Sequence, residues 1–451
     1  MAVLDCAEFE KSMMQSQIGR WGERRLEMRS PTTVTSALSL ALPRTVIDAD
    51  KILKIGMLAP LSGKMKSWAE PGFMGCLIWK DWVNKKGGIR IGDRRYQVDV
   101  IPYDTQFRPE KALAGARKLL IDHGVQLVMM LGGNDFSRPL RDFVNQRKAL
   151  VTTLLPSDLS PNARTLIAPC EVHPIYNVTG VDWLVRDDPR LKTVAMCTQN
   201  DEHGLPSIAT YRAAFEAAGL TLVDEHLFPN QTSDFSEIIG RLLEKKPDVL
   251  CWDTAYEPFV HAMTIEAYKR GFKGRIISCT CDNYLELIEK TSPEFMENFV
   301  FQFPDFDDPR LNEPQINFGD PAGFFNEFCR RYPGEWSAVS WEYAAILQMW
   351  KVAVERARTI EPLTVLAMMK VGGKGKHVFG EATWWGRELF GIDNALVGDW
   401  PVVAIRNGRA RIVEFGSPLT WWKSYGYLLI KHMRALNLMW DQREEKLALS
   451  R

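Results

Sequence analysis

The chain has 451 residues, 46% hydrophobic and 25% charged, more than one ordinary core accommodates, so two or more folded lobes are expected and wholesale disorder is excluded. Its 56 basic and 56 acidic residues cancel. The whole-chain positive field that nucleic-acid binders rely on is therefore absent, and a small molecule is the expected partner, with no nucleic acid. The eight cysteines contain no Cys-x-x-Cys pair, and Cys279 and Cys281 are the closest two, which excludes metal-type spacing. Cys197, Cys251 and Cys279 lie in or at the end of apolar runs and read as small buried hydrophobes.

In chain order, residues 1–50 read as an N-terminal extension or a poor signal segment. Their first part lacks a basic segment leading into an apolar run, and an alternative start at Met28 gives only the short apolar stretch Val34 to Leu42, followed by Pro43 and Arg44. On that alternative an exported chain begins near Ala49 or Asp50. Lys54 to Leu61, KIGMLAPL, is a strand that ends in the small loop Ser62-Gly63. The helix after it spans Glu70 to Asn84, carries Met74, Ile78 and Trp82 one turn apart, and stops at Gly87-Gly88. Such a loop and helix start present backbone N–H groups that suit a carboxylate or a phosphate.

Tyr96 to Ile101 alternates as a strand, a helix opens at Pro109 and ends at Gly124, and Val125 to Leu131 is a continuous apolar run typical of a strand buried on both faces. Gly132 to Asp135 open the next helix, where Asp135 reads as a cap, and Leu150 to Leu155 is another strand. A second alternating series follows, with strands at Lys192 to Thr198, Leu220 to Phe228, Val249 to Asp253 and Arg275 to Cys279. Helices lie between them at Leu205 to Ala218, around Phe235 to Leu243, and at Pro258 to Arg270. The fold class is α/β with two doubly wound halves. No run is long enough to span a membrane, because the apolar stretches within Trp421 to Trp440 are broken by Lys423, Lys431, His432 and Arg434.

The order and spacing of KIGMLAPL, NKKGGI at Asn84 to Ile89, DTQFRPEKALAGARKLL at Asp104 to Leu120 and TSDFSEIIGRLLEKKPDVL at Thr232 to Leu250 resemble the periplasmic leucine/isoleucine/valine-binding protein family. The resemblance runs from about Lys51 to Phe415 and implies a type I periplasmic binding fold, two doubly wound parallel-sheet lobes joined by a three-crossing hinge that closes on a ligand. It implies a first lobe at 51–170 and 304–375, a second at 171–303 and 376–415, and an aromatic-rich tail at 416–451. The crossings fall near Pro169, Pro304 and Lys376. It further implies a periplasmic solute receptor, with no enzymatic activity and no cofactor, that delivers branched-chain or aromatic amino acids or aromatic acids to an ABC transporter permease. A cytoplasmic ligand-sensing regulator on the same fold, with the tail as partner contact, is the alternative.

Carried over residue by residue, the resemblance places an aromatic contact at Trp68, a carboxylate grip at Gly133, Asn134 and Ser137, and a second grip at Leu155 and Ser157, where Pro156 removes one donor. On the other lobe it implies ligand contacts at His203 and Tyr256. The acid expected to neutralise a ligand ammonium falls near Thr280, with Asp282 within reach, so carboxylates are expected to bind better than amino acids of the same shape. A weaker reading makes Cys279 or Cys281 a nucleophile with His203, Cys281 being the one a hydrolase would use. Lys370 to Lys376, KVGGKGK, lacks the hydroxyl and preceding strand of a phosphate loop and reads as a basic turn at a crossing.

Overall fold

The computed structural model describes residues 52–443, apart from Lys64, Pro174, Glu202, His203, Thr254 and Asn298, and gives the backbone alone for Asn134. The proposed extension at 1–50 and the candidate donor His203 thus lie outside the described residues.

Two sheets organise the chain. The first contains β1 (Ile52–Ala59), β2 (Ile89–Ile91), β3 (Arg94–Asp104), β4 (Val128–Met130), β5 (Val151–Thr152) and β6 (Leu166–Ile167), in the order β2-β3-β1-β4-β5-β6. All neighbours are parallel except β2, which turns back on β3. The second contains β7 (Thr193–Gln199), β8 (Thr221–Phe228), β9 (Val249–Cys251), β10 (Arg275–Ile277) and β11 (Val300–Phe301) in parallel. Two later strands, β15 (Trp400–Arg406) and β16 (Arg409–Gly416), add antiparallel to its β11 edge. Between β11 and β15 in sequence, β12 (Lys374–His377), β13 (Gly380–Trp385) and β14 (Ala395–Gly398) form a small antiparallel sheet, so the KVGGKGK turn runs into a hairpin.

Adjacent residues of β1 serve opposite faces, as a pleated strand covered on both sides requires. Met57 belongs to the same core cluster as Cys76, Trp79 and Val100, whereas Leu58 belongs to a separate one with Val128, Met130 and Leu140. Val125 to Leu131 and Leu150 to Leu155, expected as whole strands, pair as strands only over three and two residues, and Leu131, Leu154 and Leu155 beyond their ends line the cavity described below.

The first helix spans Lys66–Lys85, four residues earlier than Glu70, and accommodates Pro71 in its early turns. Its buried face is also rotated from the expected stripe: Met74 and Trp82 are half-buried, while Gly72, Gly75, Cys76 and Trp79 are buried with Ile78. Two glycines on that face bring helix Ala338–Ala357 into close contact, which no reading of large apolar residues reveals. Gly88, with φ +79°, ends the segment where a Cβ would stand 2.0 Å from the Tyr96 carbonyl oxygen.

The chain passes between the sheets three times. It leaves the first after β6, returns after β11 to place helix Ala338–Ala357 against helix Lys66–Lys85, and re-enters the second at β15. Ala168 and Leu396 tie the first passage to the third, through hydrogen bonds of 2.9 Å from Ala168 N–H to the Asn394 carbonyl and from Leu396 N–H to the Ala168 carbonyl.

The tail helix folds back on the second sheet's helices, and beyond it the Arg443 guanidinium donates to the Leu159 carbonyl at 3.1 Å. Helix Pro418–Ala435 packs against helices Gly204–Ala218 and Asn177–Asp187, burying Trp421, Leu428, Leu429 and Met433, while Lys431 Nζ and His432 Nε2 both meet the Glu216 carboxylate at 2.8 Å. Truncation after Ser417 is therefore expected to cost at least about 4 kcal/mol of stability, the scale of emptying one or two large buried side chains. Urea unfolding checks this, and an unchanged midpoint would show that the helix is an accessory.

Candidate functional site

Parallel α/β sheets bind ligands beyond the carboxyl ends of their strands. Here those ends face each other across a narrow cavity that opens to solvent. Trp68, Leu131, Leu154 and Leu155 line it from the first sheet, and Cys279, Thr280, Asp282 and Phe303 from the second. Glu171 and His173 enter from the passage after β6, and Ala338, Val339 and Glu342 from the first turns of helix Ala338–Ala357.

Three carboxyl groups dominate its electrostatics. Glu342 and Glu171 hydrogen-bond each other, and the Tyr176 hydroxyl donates to Glu171 Oε1. Burial pushes Glu171 up to about 7 and holds Glu342 well above the usual carboxylate range, the neighbouring Glu171 charge adding to its shift. Glu342 is 1% exposed and its Oε1 has no hydrogen-bond partner. Burial also pushes Asp282 up to about 7, with the Glu257 and Asp305 charges adding, while the Ala338 N–H and the Trp68 indole N–H donate to it and oppose the shift. His173 is the sole basic side chain among the described lining residues; its Nδ1 lies 3.3 Å from the Tyr176 hydroxyl and 3.9 Å from Glu171 Oε1.

Of the residues singled out from the sequence, Trp68, Leu155, Thr280 and Asp282 line this cavity. Gly133, Ser137, Ser157 and Tyr256 do not. The Gly133 N–H, expected to grip a ligand carboxylate, donates instead to Asp158 Oδ2 at 2.9 Å, and Thr153 Oγ1 holds the same oxygen at 3.2 Å. Ser137 precedes helix Arg138–Arg147 and Ser157 sits in the 3-10 turn Pro156–Asp158, both half-buried. Asp135 is not a helix cap: it is buried and accepts from Thr105 Oγ1 at 2.6 Å, a bond its interior position demands. The Tyr256 ring stands behind Trp68, 4.9 Å away and near-perpendicular, with its hydroxyl donating to Asp201 Oδ2 at 2.7 Å. The Asn134 side chain and His203 are outside what is described.

Glu171, His173, Phe303 and Glu342 were not found from the sequence. A signal existed for two of them: Glu342 interrupts the apolar run Ala338 to Trp350, and Glu171 interrupts Leu166 to Val172. A charge within a buried run is rare without a partner or a role.

The preference for carboxylates over amino acids rested on a missing acid at Thr280. The cavity holds three acids, so that premise is corrected. Burial holds the Cys281 thiol well above its usual range, so it stays protonated at neutral pH and is a poor nucleophile. Glu257, His261 and Glu286 bring potential metal-binding atoms within 4.8 Å of one another, but each is engaged: Glu257 with Asn283, His261 Nε2 with the Asp282 carbonyl, and Glu286 with Lys290.

The raised carboxyls make stability depend on pH. Burial puts Glu171, Asp282, Asp135 and Asp158 at about 7 and Asp305 at about 6, all above their unfolded values, so the folded state binds more protons and their contribution is lost as pH rises through 6 to 7. Buried His377, pushed down to about 4, acts in the opposite sense only below its ordinary 6.5. From pH 6.5 to about 8 the melting temperature of the solute-free protein is therefore expected to fall, and Asp282→Asn to flatten the slope. A melting temperature that rises across this window contradicts the burial of these acids.

Comparison with known proteins agrees with this architecture. Residues 52–410 match the family described as periplasmic binding protein. The Leu/Ile/Val-binding protein BraC3 of Rhizobium johnstonii is 24% identical over 221 residues, 48% of this chain and 58% of that protein, so the match spans less than two thirds of the relative. Among solved structures, an ABC transporter solute-binding protein from Rhodopseudomonas palustris HaA2 in complex with p-hydroxybenzoic acid is similar in fold (TM-score 0.67, 15% identity, 82% of this chain and 100% of that one). The leucine-binding protein LivK of Thermotoga maritima is similar to the same degree (TM-score 0.65, 17% identity, 82% and 99%). LivJ of Streptococcus pneumoniae in complex with isoleucine follows (TM-score 0.63, 16% identity, 80% and 99%). The chain, with its two parallel-dominated sheets, has the type I periplasmic binding fold and belongs to the periplasmic binding protein family.

Proposed function

We propose that the protein is the solute receptor of an ABC transporter, closing two lobes over a small amphipathic molecule and presenting it to a membrane permease on the periplasmic side. The observation that carries this reading is the cavity itself, walled by residues from both sheets and from two of the three passages, so that a solute held there bridges the lobes. The lobes are assigned as 51–170 with 304–375 and 171–303 with 376–415. Trp68, Leu155, Phe303 and Val339 supply apolar contact, and Thr280, Asp282, Glu171 and Glu342 polar contact. Isoleucine and p-hydroxybenzoic acid, the ligands of two structural relatives, support branched-chain and aromatic amino acids and aromatic acids as the first solutes to try. Among the described residues, no helix is long and apolar enough to cross a membrane.

A thermal-shift screen of amino acids, aromatic acids, amines and amides tests it. A solute at a hundred times its dissociation constant is expected to stabilise the protein by roughly 2.7 kcal/mol. A screen in which no small solute of any charge raises the melting temperature contradicts the receptor reading.

A further inference from the structure

We propose that the polar head of the solute is a cation, an amine or an amidine on an apolar body, and that binding needs no carboxylate. This deepens the receptor reading and rests on it. Glu171, Glu342 and Asp282 all face the cavity, and neither lysine nor arginine is among the described residues lining it. Two N–H donors of its lining are already used by the chain's own carboxylate: Ala338, at the start of its helix, and the Trp68 indole both donate to Asp282. An incoming carboxylate would meet three acids and find these donors taken. Asp282 thus fills the position where a helix start would otherwise attract an anion.

Glu342 Oε1 points the same way. It is a buried acceptor with no partner, and leaving such a group unsatisfied is costly unless a ligand completes it. An ammonium or amidinium brings two or three N–H donors into a space bounded by Glu342, Glu171 and Asp282. The Trp68 ring beside them offers a further face to a cation, while Leu131, Leu154 and Phe303 receive the apolar body. Without a solute, burial keeps these acids partly protonated; a cation replaces those protons with a better partner.

Calorimetry on three probes with one apolar body separates the possibilities: 2-phenylethylamine, 3-phenylpropionate and phenylalanine, with isopentylamine as an aliphatic amine. An amine is expected to bind at least about tenfold more tightly than 3-phenylpropionate, the scale of one charged hydrogen bond. Glu342→Gln and Asp282→Asn are each expected to weaken that amine about tenfold or more in protein that melts cooperatively. If one variant fails to fold, the other carries the test. Tighter binding of 3-phenylpropionate than of either amine, phenylalanine binding about tenfold more tightly than both, or an amine affinity untouched by the folded variants overturns the cationic head while leaving the receptor reading intact. Failure of every solute in the wider screen removes the receptor reading as well.

Discussion

Trp68→Ala is expected to abolish solute binding and to lower the stability of the solute-free protein by roughly 3 to 5 kcal/mol, the range for emptying a buried aromatic site. In the fold, Trp68 is 8% exposed, stands edge-on to Tyr256 at 4.9 Å and donates its indole N–H to Asp282. It is at once a wall of the cavity and part of the packing beneath it. Trp68→Phe separates the two roles, because it keeps a ring and removes the donor. That variant is expected to lose only about 1 to 3 kcal/mol, the cost of a buried acceptor left without its bond. Urea unfolding of both variants decides the matter, and an alanine variant that unfolds like the parent would show that the ring lies outside the core.

Gly75→Ala is expected to be nearly as damaging although it adds one methyl group. A Cβ at Gly75 would stand 2.0 Å from the Ser340 carbonyl oxygen and 2.8 Å from its carbonyl carbon. Both are backbone atoms that no rotamer change can move, so helices Lys66–Lys85 and Ala338–Ala357 must separate. Overpacking of this kind costs about 3 kcal/mol and occasionally more. Trp68 lies on one of these helices and Val339 and Glu342 on the other, so the shift should also weaken solute binding. A loss below about 0.5 kcal/mol, within the range of an ordinary surface substitution, would contradict the close approach.

Much of the fold is legible in the sequence because parallel strands covered on both faces read as continuous apolar runs. Val194 to Cys197 and Val249 to Cys251 are buried throughout and fall where the runs place them. Helix boundaries near Gly88, Pro109 and Ala218 follow from turn chemistry in the same way. The rotated face of the first helix was not legible, because Gly72 and Gly75 are buried through the closeness of a helix more than 250 residues away in sequence, and not through their own hydrophobicity. The small antiparallel sheet β12 to β14 was hidden among tryptophans, which signal burial without saying against what.

The site was partly legible for a related reason. Leu155, Thr280 and Asp282 follow the ends of strands, and Trp68 sits in the first turn of the helix after β1, where alternation of elements alone points. Glu171, His173 and Glu342 come from the passages between lobes, whose meeting depends on how three distant segments cross. The misplaced carboxylate grip has a local cause. Nothing in the order of residues reveals that Asp158 folds back onto the Gly133 N–H and fills the anion position from within.

Hydrogen exchange with and without a stabilising solute tests the two-lobe cleft most directly. Protection is expected together in 131–133, 153–158 and 338–342 of the first lobe and in 279–282 of the second. Protection confined to one lobe, or centred on the tail helix Pro418–Ala435, would contradict a solute held between the lobes.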